Sequence, residues 1–172
     1  GAPPHKICRM GVGRTFQIPR PIRRLSILEN AALAGYYGHS GVATREEAWR
    51  NAAEGLALVG LPTDPHSTVD TLGAAGLKKP ELAKALATKP DLLLADESLG
   101  GLDHSEMDQA ADMLRNIREE LGVTIIWVEH IMGVLMRVVD RVMVLDHGEK
   151  IAEGKPQDVA ADPKVIEVYL GS

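Results

Sequence analysis

Two carboxylates follow a short apolar run in the middle of the chain. Asp91 to Asp96 reads DLLLAD and Glu97 comes next, so adjacent acids end a segment that is otherwise aliphatic. In an open parallel sheet, ligands bind at the carboxyl ends of the strands. Adjacent acids at that edge can serve a magnesium ion and an attacking water. The alternative is structural, because acidic residues also cap the loop or helix that follows a strand.

A second apolar run ends in the same way. Val123 to Val128 reads VTIIWV and is followed by Glu129 and His130. A neighbouring parallel strand would place His130 at the sheet edge that carries Glu97. A lone histidine is more often structural than catalytic, but polar groups at two neighbouring strand ends favour a site at that edge.

The elements that position these groups are predicted from periodicity. The two runs above and RVMVL, Arg141 to Leu145, are nearly continuous apolar segments, which are typical of strands buried on both faces. A helix is expected from about His104 to Leu121, with Asp103 as its N-cap. Strand, helix, strand predicts parallel pairing. Lys150 to Ala152 is expected as an antiparallel edge strand, followed by short helices near 156–160 and 163–170.

The first half of the chain is mostly helical in pattern. A small strand running into a loop is expected at Arg14 to Gln17, and capping boxes at Ser26 and Thr44 predict two helices, the second ending near Val59. A third helix is expected at about Lys78 to Thr88. We therefore divide the chain into a core segment, 1–25, a helical subdomain, 26–90, and a sheet-bearing remainder, 91–172.

Composition limits the function classes. The chain has 172 residues, of which 45% are hydrophobic and 25% charged, so it can bury a sizeable core. A net charge of -5 argues against a general nucleic-acid surface, although Arg14, Arg20, Arg23 and Arg24 form a local basic group that we interpret as a solvated face. Cys8 is the only cysteine, which excludes an intrachain disulfide. No apolar run approaches about 18 residues, so membrane association is expected only through partners.

Four segments, in order, resemble the motifs of ABC ATPases. RTFQ (Arg14 to Gln17) resembles the Q-loop, LLLADE (Leu92 to Glu97) the Walker B motif, GGLD (Gly100 to Asp103) the D-loop and VEH (Val128 to His130) the switch histidine. The ending DPKVIEVYLG is especially similar to the branched-chain amino-acid importer subgroup. The resemblance implies a partial P-loop NTPase α/β fold, with a mainly parallel sheet and a helical subdomain.

The same resemblance implies roles for individual residues. Asp96 would hold Mg²⁺ through its water shell, and Glu97 would polarise the water that attacks the γ-phosphate of ATP. His130 would contact that phosphate, and Gln17 would reach the metal and the nucleophile while its loop reports nucleotide state. Asp103 would act across a dimer interface. Such roles suit phosphoryl transfer, in which positioning and charge stabilisation dominate.

Two departures from the family pattern concern phosphate binding. No GxxxxGK[ST] occurs in the sequence, so the loop whose amides and lysine would cradle the phosphates is missing, and N-terminal truncation is the simplest interpretation. The signature segment, Leu72 to Gly76, reads LGAAG. Gly73 stands in place of a serine and Ala75 in place of a glycine, while Gly76 completes the segment. A flexible turn and a working signature are equally favoured there.

The leading hypothesis is an energy-coupling ATPase subunit of an amino-acid importer, located on the cytoplasmic face of the membrane. Its expected partners are membrane-spanning permease subunits and a second ATP-binding subunit, and the chain alone is expected to hydrolyse ATP weakly or not at all. The alternative is an ATP-independent module that docks on a membrane partner. A soluble ABC ATPase of translation or DNA repair is disfavoured by the acidic balance and the importer-like ending.

Overall fold

The computed structural model describes residues 1–38, 43–73, 76–97 and 103–170. These residues form two compact units, 1–129 and 130–172, and each is described by itself. The helices and strands of the first unit are α1 (Pro4–Arg9), β1 (Val12–Arg14), α2 (Ile27–Tyr36), α3 (Arg45–Leu58), α4 (Lys78–Ala87), β2 (Leu92–Asp96), α5 (His104–Leu121) and β3 (Thr124–Val128). A short 3-10 turn, Val69–Thr71, precedes α4.

The sheet of the first unit has three parallel strands in the order β1-β2-β3. Leu93 is the central residue, with Gly13 on one side and Ile125 on the other. The predicted parallel pairing of the DLLLAD and VTIIWV runs is confirmed, and α5 forms the connection between them. This order places the carboxyl end of β2 between two other strand ends.

The predicted small strand running into a loop is present, but the strand bounds are wrong, because β1 covers Val12–Arg14 and the loop follows from Thr15. Thr15 continues the pairing only through its amide, which donates to the carbonyl of Leu94 at 3.0 Å. The Thr15 hydroxyl accepts from the amide of Asp96 instead, so the chain leaves the ladder there. Phe16 and Gln17 are consequently exposed loop residues.

The core of the first unit lies on one face of this sheet. Leu93 is fully buried and Ala95 is 1% exposed, and both point to the side where the helices pack. Helix α4 contacts β1 and β2, and α2 and α3 pack on α4 and on each other. Leu114 and Ile117 of α5 join the same apolar cluster. Ile27 and Leu56 are the largest buried contributions of α2 and α3.

Helix starts follow the predicted caps. The side chains of Ser26, Thr44 and Asp103 each accept a hydrogen bond from the backbone amide three residues later. In each case that later residue is a glutamate, and its carboxylate accepts a hydrogen bond from the backbone amide of the cap residue. These capping boxes satisfy amides that have no partner within the helix. Gly122 ends α5 with φ of +63°, a conformation that favours glycine.

The prediction that the strands are buried on both faces is wrong. Ile126 and Val128 of β3 are 52% and 56% exposed, although Ile125 and Trp127 on the other face pack against the core. The alternation arises because the helical core of the first unit packs on one face of its sheet. A continuous apolar run allows a strand to be buried on both faces. Whether both faces are buried depends on the elements that pack against them.

The second unit contains a β-hairpin and short helices. Its elements are α6 (Met132–Val138), β4 (Val142–Asp146), β5 (Glu149–Gly154), α7 (Pro156–Ala160) and α8 (Pro163–Val165), followed by a π-helical turn, Ile166–Leu170. Strands β4 and β5 are antiparallel, which confirms the predicted edge strand. Val142, Val144, Val159 and Val165 form the unit's core. None of the helices within the described ranges is both long enough and apolar enough to span a membrane.

Candidate active site

Strand β1 fixes the end of β2 at the candidate site. The Asp96 amide donates to the hydroxyl of Thr15 at 3.0 Å, and Thr15 is only 4% exposed. The Asp96 carboxylate accepts a hydrogen bond from the guanidinium of Arg14 at 3.1 Å. Since the Arg14 side chain is 56% exposed, this ion pair orients Asp96 more than it stabilises the fold.

Glu97 follows Asp96 with an unusual backbone conformation. Its φ is +42°, in the left-handed region that a residue with a side chain enters at a cost of about 1–3 kcal/mol. The Glu97 amide donates to the carbonyl of Val128 at 3.0 Å, which anchors it to the end of β3. The side-chain amide of Gln17 donates to the Glu97 carboxylate. Two strand ends and the Gln17 loop therefore meet at Glu97.

Lys78 is a functional candidate that the sequence reasoning missed. Its ammonium, at the start of α4, donates to the backbone carbonyl of Glu97 at 2.6 Å. The available signal was its place two residues after the glycine-rich segment that ends at Gly76. Arg14 was also missed as a partner of Asp96, because the pair is separated by 82 residues.

A cavity of about 570 Å³ opens beside these groups. Its lining includes Thr15, Phe16, Gly76, Lys78, Asp96 and Glu97. Gly76 of the predicted signature segment thus lies on the same cavity as the two predicted acids. Apolar side chains such as Leu72, Leu82 and Met113 form much of the remaining wall.

The oxygen atoms at the cavity edge suit a hard cation held partly by water. Asp96 and Glu97 supply carboxylates and Gln17 supplies an amide oxygen, the ligand types that Mg²⁺ takes. Among the described residues, no group of three or more His, Cys, Asp or Glu could hold a metal ion. Two carboxylates and one amide oxygen would leave several positions of Mg²⁺ to water, which is how Mg²⁺ is usually bound.

The remaining predicted site residues lie in different surroundings. Asp103 is exposed and caps α5, because its carboxylate accepts from the Glu106 amide at 2.8 Å. Gly73 is exposed, and an added Cβ would meet nothing within 4 Å. Ala75, together with 98–102, which includes Gly100 to Leu102 of the predicted D-loop, lies outside the described residues. His130 begins the second unit, where it is exposed, and its role toward Glu97 stays a prediction.

In the comparison with known protein families, the model of the branched-chain amino acid ATP-binding cassette transporter matches residues 149–172. The matched segment covers β5, α7, α8 and the C-terminal turn.

Solved structures share the fold. The ADP conformation of MJ1267, an ATP-binding cassette of an ABC transporter, aligns with a TM-score of 0.77 at 26% identity, covering 99% of this chain and 72% of that one. The dimeric post-hydrolysis state of the cassette MJ0796, bound to ADP and Pi, aligns with a TM-score of 0.74 at 29% identity and covers 88% of this chain. The chain spans 65% of the length of that cassette. The expected partial P-loop NTPase fold is confirmed.

Curated relatives agree over nearly the whole chain. A probable branched-chain amino acid transport ATP-binding protein, LivG of Archaeoglobus fulgidus, is 34% identical over 183 residues, covering 99% of this chain and 69% of the relative. BraF of Pseudomonas aeruginosa, a high-affinity branched-chain amino acid transport ATP-binding protein, is 32% identical, with 99% and 72% covered. Identity of this extent, with the ordered motifs around Glu97, shows that the chain belongs to the branched-chain amino acid transport ATP-binding proteins of the ABC family.

Proposed function

We propose that this chain is the energy-coupling ATP-binding subunit of an importer for branched-chain amino acids, and that Gln17, Asp96 and Glu97 belong to its hydrolytic site. The observation that carries the proposal is the hydrogen bond from Gln17 to Glu97 beside Asp96 at the end of the central strand. The names of the relatives supply the transported class, branched-chain amino acids.

Each residue has a role that follows from its chemistry. Asp96 would hold Mg²⁺ through water, and Gln17 would add an amide oxygen. Bound Mg²⁺ would supply charge neutralisation on the phosphates of ATP. Glu97 would accept a hydrogen bond from the attacking water, and Gln17 would fix the carboxylate that does so. His130 would contact the γ-phosphate.

Dimerisation and docking belong to the same proposal. Gly73, Ala75 and Gly76 would face the nucleotide of a second ATP-binding subunit, and Asp103 would contact that subunit across the interface. The cassette MJ0796 is described as dimeric, which supports such a pair. Membrane-spanning permease subunits would hold the dimer at the inner face of the membrane.

The sequence given contains no GxxxxGK[ST], so we expect the chain alone to bind Mg-ATP weakly and to hydrolyse it very slowly. Without the amides and lysine of that loop, few donors are available for the phosphates. Isothermal titration of the chain with Mg-ATP checks this expectation. Micromolar affinity would contradict it.

The assembled importer tests the role of Glu97. The change is made in a subunit that also carries a GxxxxGK[ST] loop, assembled in vesicles with the permease subunits and a second ATP-binding subunit. ATP-driven leucine uptake should fall by roughly 100-fold or more in Glu97→Gln, since the glutamine amide does not polarise water as the carboxylate does. Glu119→Gln, an exposed acid of α5, is the matched control and should leave uptake unchanged. Normal uptake by Glu97→Gln would reject ATP hydrolysis at this residue.

That outcome would favour the ATP-independent docking module. One observation speaks for this second candidate: Phe16 and Ile18, on either side of Gln17, are 57% and 68% exposed. Exposed apolar side chains on a loop suit contact with a partner protein. Under this alternative, Phe16→Ser with Ile18→Ser should abolish membrane recruitment while Glu97→Gln has no effect.

A further inference from the structure

Lys78 contacts a backbone atom of Glu97 and not a carboxylate. The Lys78 ammonium donates to the Glu97 carbonyl oxygen at 2.6 Å, and the lysine is partly buried at that point. A lysine placed only for solubility would extend into water, as its exposed neighbour Lys79 does. We therefore look to the backbone of Glu97 for the role of this hydrogen bond.

The conformation of Glu97 supplies that reason. With φ of +42°, the Glu97 backbone is in a region that side-chain-bearing residues avoid, so surrounding contacts must hold it there. Its amide is fixed by the carbonyl of Val128 at 3.0 Å. Its carbonyl is fixed by Lys78. With both backbone groups held, the Cα–Cβ bond has one direction, and that direction allows the carboxylate to meet Gln17.

We propose that Lys78 is a positioning residue, which holds the left-handed backbone of Glu97 and thereby aims its carboxylate at the Gln17 amide. The proposal rests on the proposed function of Glu97 for its importance to ATP hydrolysis, but its structural part does not. Lys78 touches neither nucleotide nor water in this scheme. It acts only through Glu97.

The position of Lys78 also connects Glu97 to the glycine-rich segment. The Leu77 amide donates to the Gly73 carbonyl at 3.2 Å, and Lys78 is the next residue. Two hydrogen bonds, the Leu77–Lys78 peptide bond and the Lys78 side chain thus link Gly73 to Glu97.

The structural part is tested on the chain itself by NMR. In Lys78→Met, which keeps the aliphatic stem and removes the donor, the backbone shifts and amide–Hα coupling of Glu97 should leave the left-handed range. The contact between the Gln17 side-chain amide and Glu97 should be lost. Lys78→Arg should retain both features in part, because it keeps a donor. Lys79→Met is the matched control and should change neither.

Unchanged Glu97 and Gln17 signals in a folded Lys78→Met protein would overturn the proposal. Thermal unfolding of each variant separates this result from general loss of structure, since a merely structural lysine would lower the midpoint without moving Glu97 selectively. The same loss of Glu97 signals in Lys79→Met would overturn it as well.

The functional part is tested in the same assembled importer, with the change made in a subunit that also carries a GxxxxGK[ST] loop. Lys78→Met should lower the maximal rate of ATP-driven leucine uptake by about 10- to 100-fold while the half-saturating ATP concentration stays the same, because misplacement affects the reacting geometry and not nucleotide binding. Lys78→Arg should recover part of the rate. A raised half-saturating concentration at an unchanged maximal rate would refute the positioning role.

The two proposals fail in different ways. If Glu97→Gln leaves uptake intact, the proposed function of the site fails, but the NMR result still decides whether Lys78 holds Glu97. If Glu97→Gln abolishes uptake while Lys78→Met leaves both the rate and the Glu97 signals unaltered, only the inference about Lys78 fails.

Discussion

The two faces of the three-stranded sheet both carry aliphatic residues but have opposite surroundings. On one face, Leu93 and Ala95 are at most 1% exposed beneath the helices. On the other, Ile126 and Val128 are more than half exposed. Aliphatic residues lie on both faces, so hydrophobicity alone does not show which face is buried. The elements that pack on a face determine whether its side chains are buried. Residues of the covered face belong to the apolar core of the first unit, and Ile126 and Val128 of the open face do not.

The largest expected effect lies at the centre of the covered face. Leu93→Ala should lower the free energy of unfolding by about 2–5 kcal/mol, because it removes a fully buried side chain and leaves a cavity. Urea denaturation followed by circular dichroism measures the change. Leu94→Ala, the next residue on the opposite face, is the matched control and should cost clearly less. Equal losses for the two leucines would break the comparison.

The second-largest change in stability is expected at a glycine of the helices that form the core. An added Cβ at Gly55 of α3 would lie 2.9 Å from the carbonyl oxygen of Ala83 in α4. Gly55→Ala should therefore lower the free energy of unfolding by about 1–3 kcal/mol, since overpacking outweighs the gain in helix propensity. Gly133→Ala in α6, where nothing lies within 4 Å, should stabilise by up to about 1 kcal/mol. Thermal melts of both variants check the opposite signs.

The open face should give almost no change in stability. Ile126→Thr and Val128→Thr keep β-branched residues in β3 and should each alter the free energy of unfolding by less than about 0.5 kcal/mol. The exposed face and strand edge should instead promote self-association, which the double variant would reduce in light scattering at high concentration. Monomeric behaviour of the unmodified chain would contradict the expected self-association. A large loss of stability in either single variant would contradict the expected small change in the free energy of unfolding.

The smallest effect is expected at the solvent-exposed start of α3. The Thr44 backbone amide, followed by the Thr44 hydroxyl, lowers the pKa of Glu47 by hydrogen bonding to its carboxylate. Thr44→Ala removes only the hydroxyl, so the pKa should rise part of the way to its ordinary value. Arg50→Met removes the weakest contribution and should raise it less. NMR titration of the Glu47 carboxyl distinguishes the two variants.

The sign of the pH dependence follows from that lowered pKa. Because Glu47 binds its proton less readily in the folded chain, the stabilisation is present above the pKa of the unfolded state and is lost as pH falls through the folded-state pKa. Thr44→Ala should weaken this acid-dependent loss. A steeper loss of helicity with acid in the variant would show that Glu47 is held by other groups.

Local sequence signals predicted local structure well. Ser26, Thr44 and Asp103 were recognisable as caps because each bonds to a residue three positions away. The parallel pairing of β2 and β3 followed from the connecting helix. The acids at Asp96 and Glu97 were recognisable because they end an apolar run.

Contacts made by distant segments were not predictable in the same way. Arg14 reaches Asp96 across 82 residues, and Lys78 reaches a backbone carbonyl that any residue could offer. The bounds of β1 were missed because three residues carry too little periodicity to define a strand. The exposure of one sheet face was not predicted, because the sequence of a strand does not show which elements pack against each of its faces.

The shortness of β1 has a consequence for the order in which the site forms. β1 contributes only three residues, at one edge of the sheet, and its pairing with β2 closes a loop of about 80 residues. The pairing therefore has the entropic cost of closing a long loop and is stabilised by few contacts. Amide hydrogen exchange should accordingly be faster for β1 than for β2, as a local opening that leaves the helical core intact. Such fraying would carry Arg14 and Gln17 away from Asp96 and Glu97. The candidate site can therefore be taken apart and reassembled by a motion far smaller than unfolding.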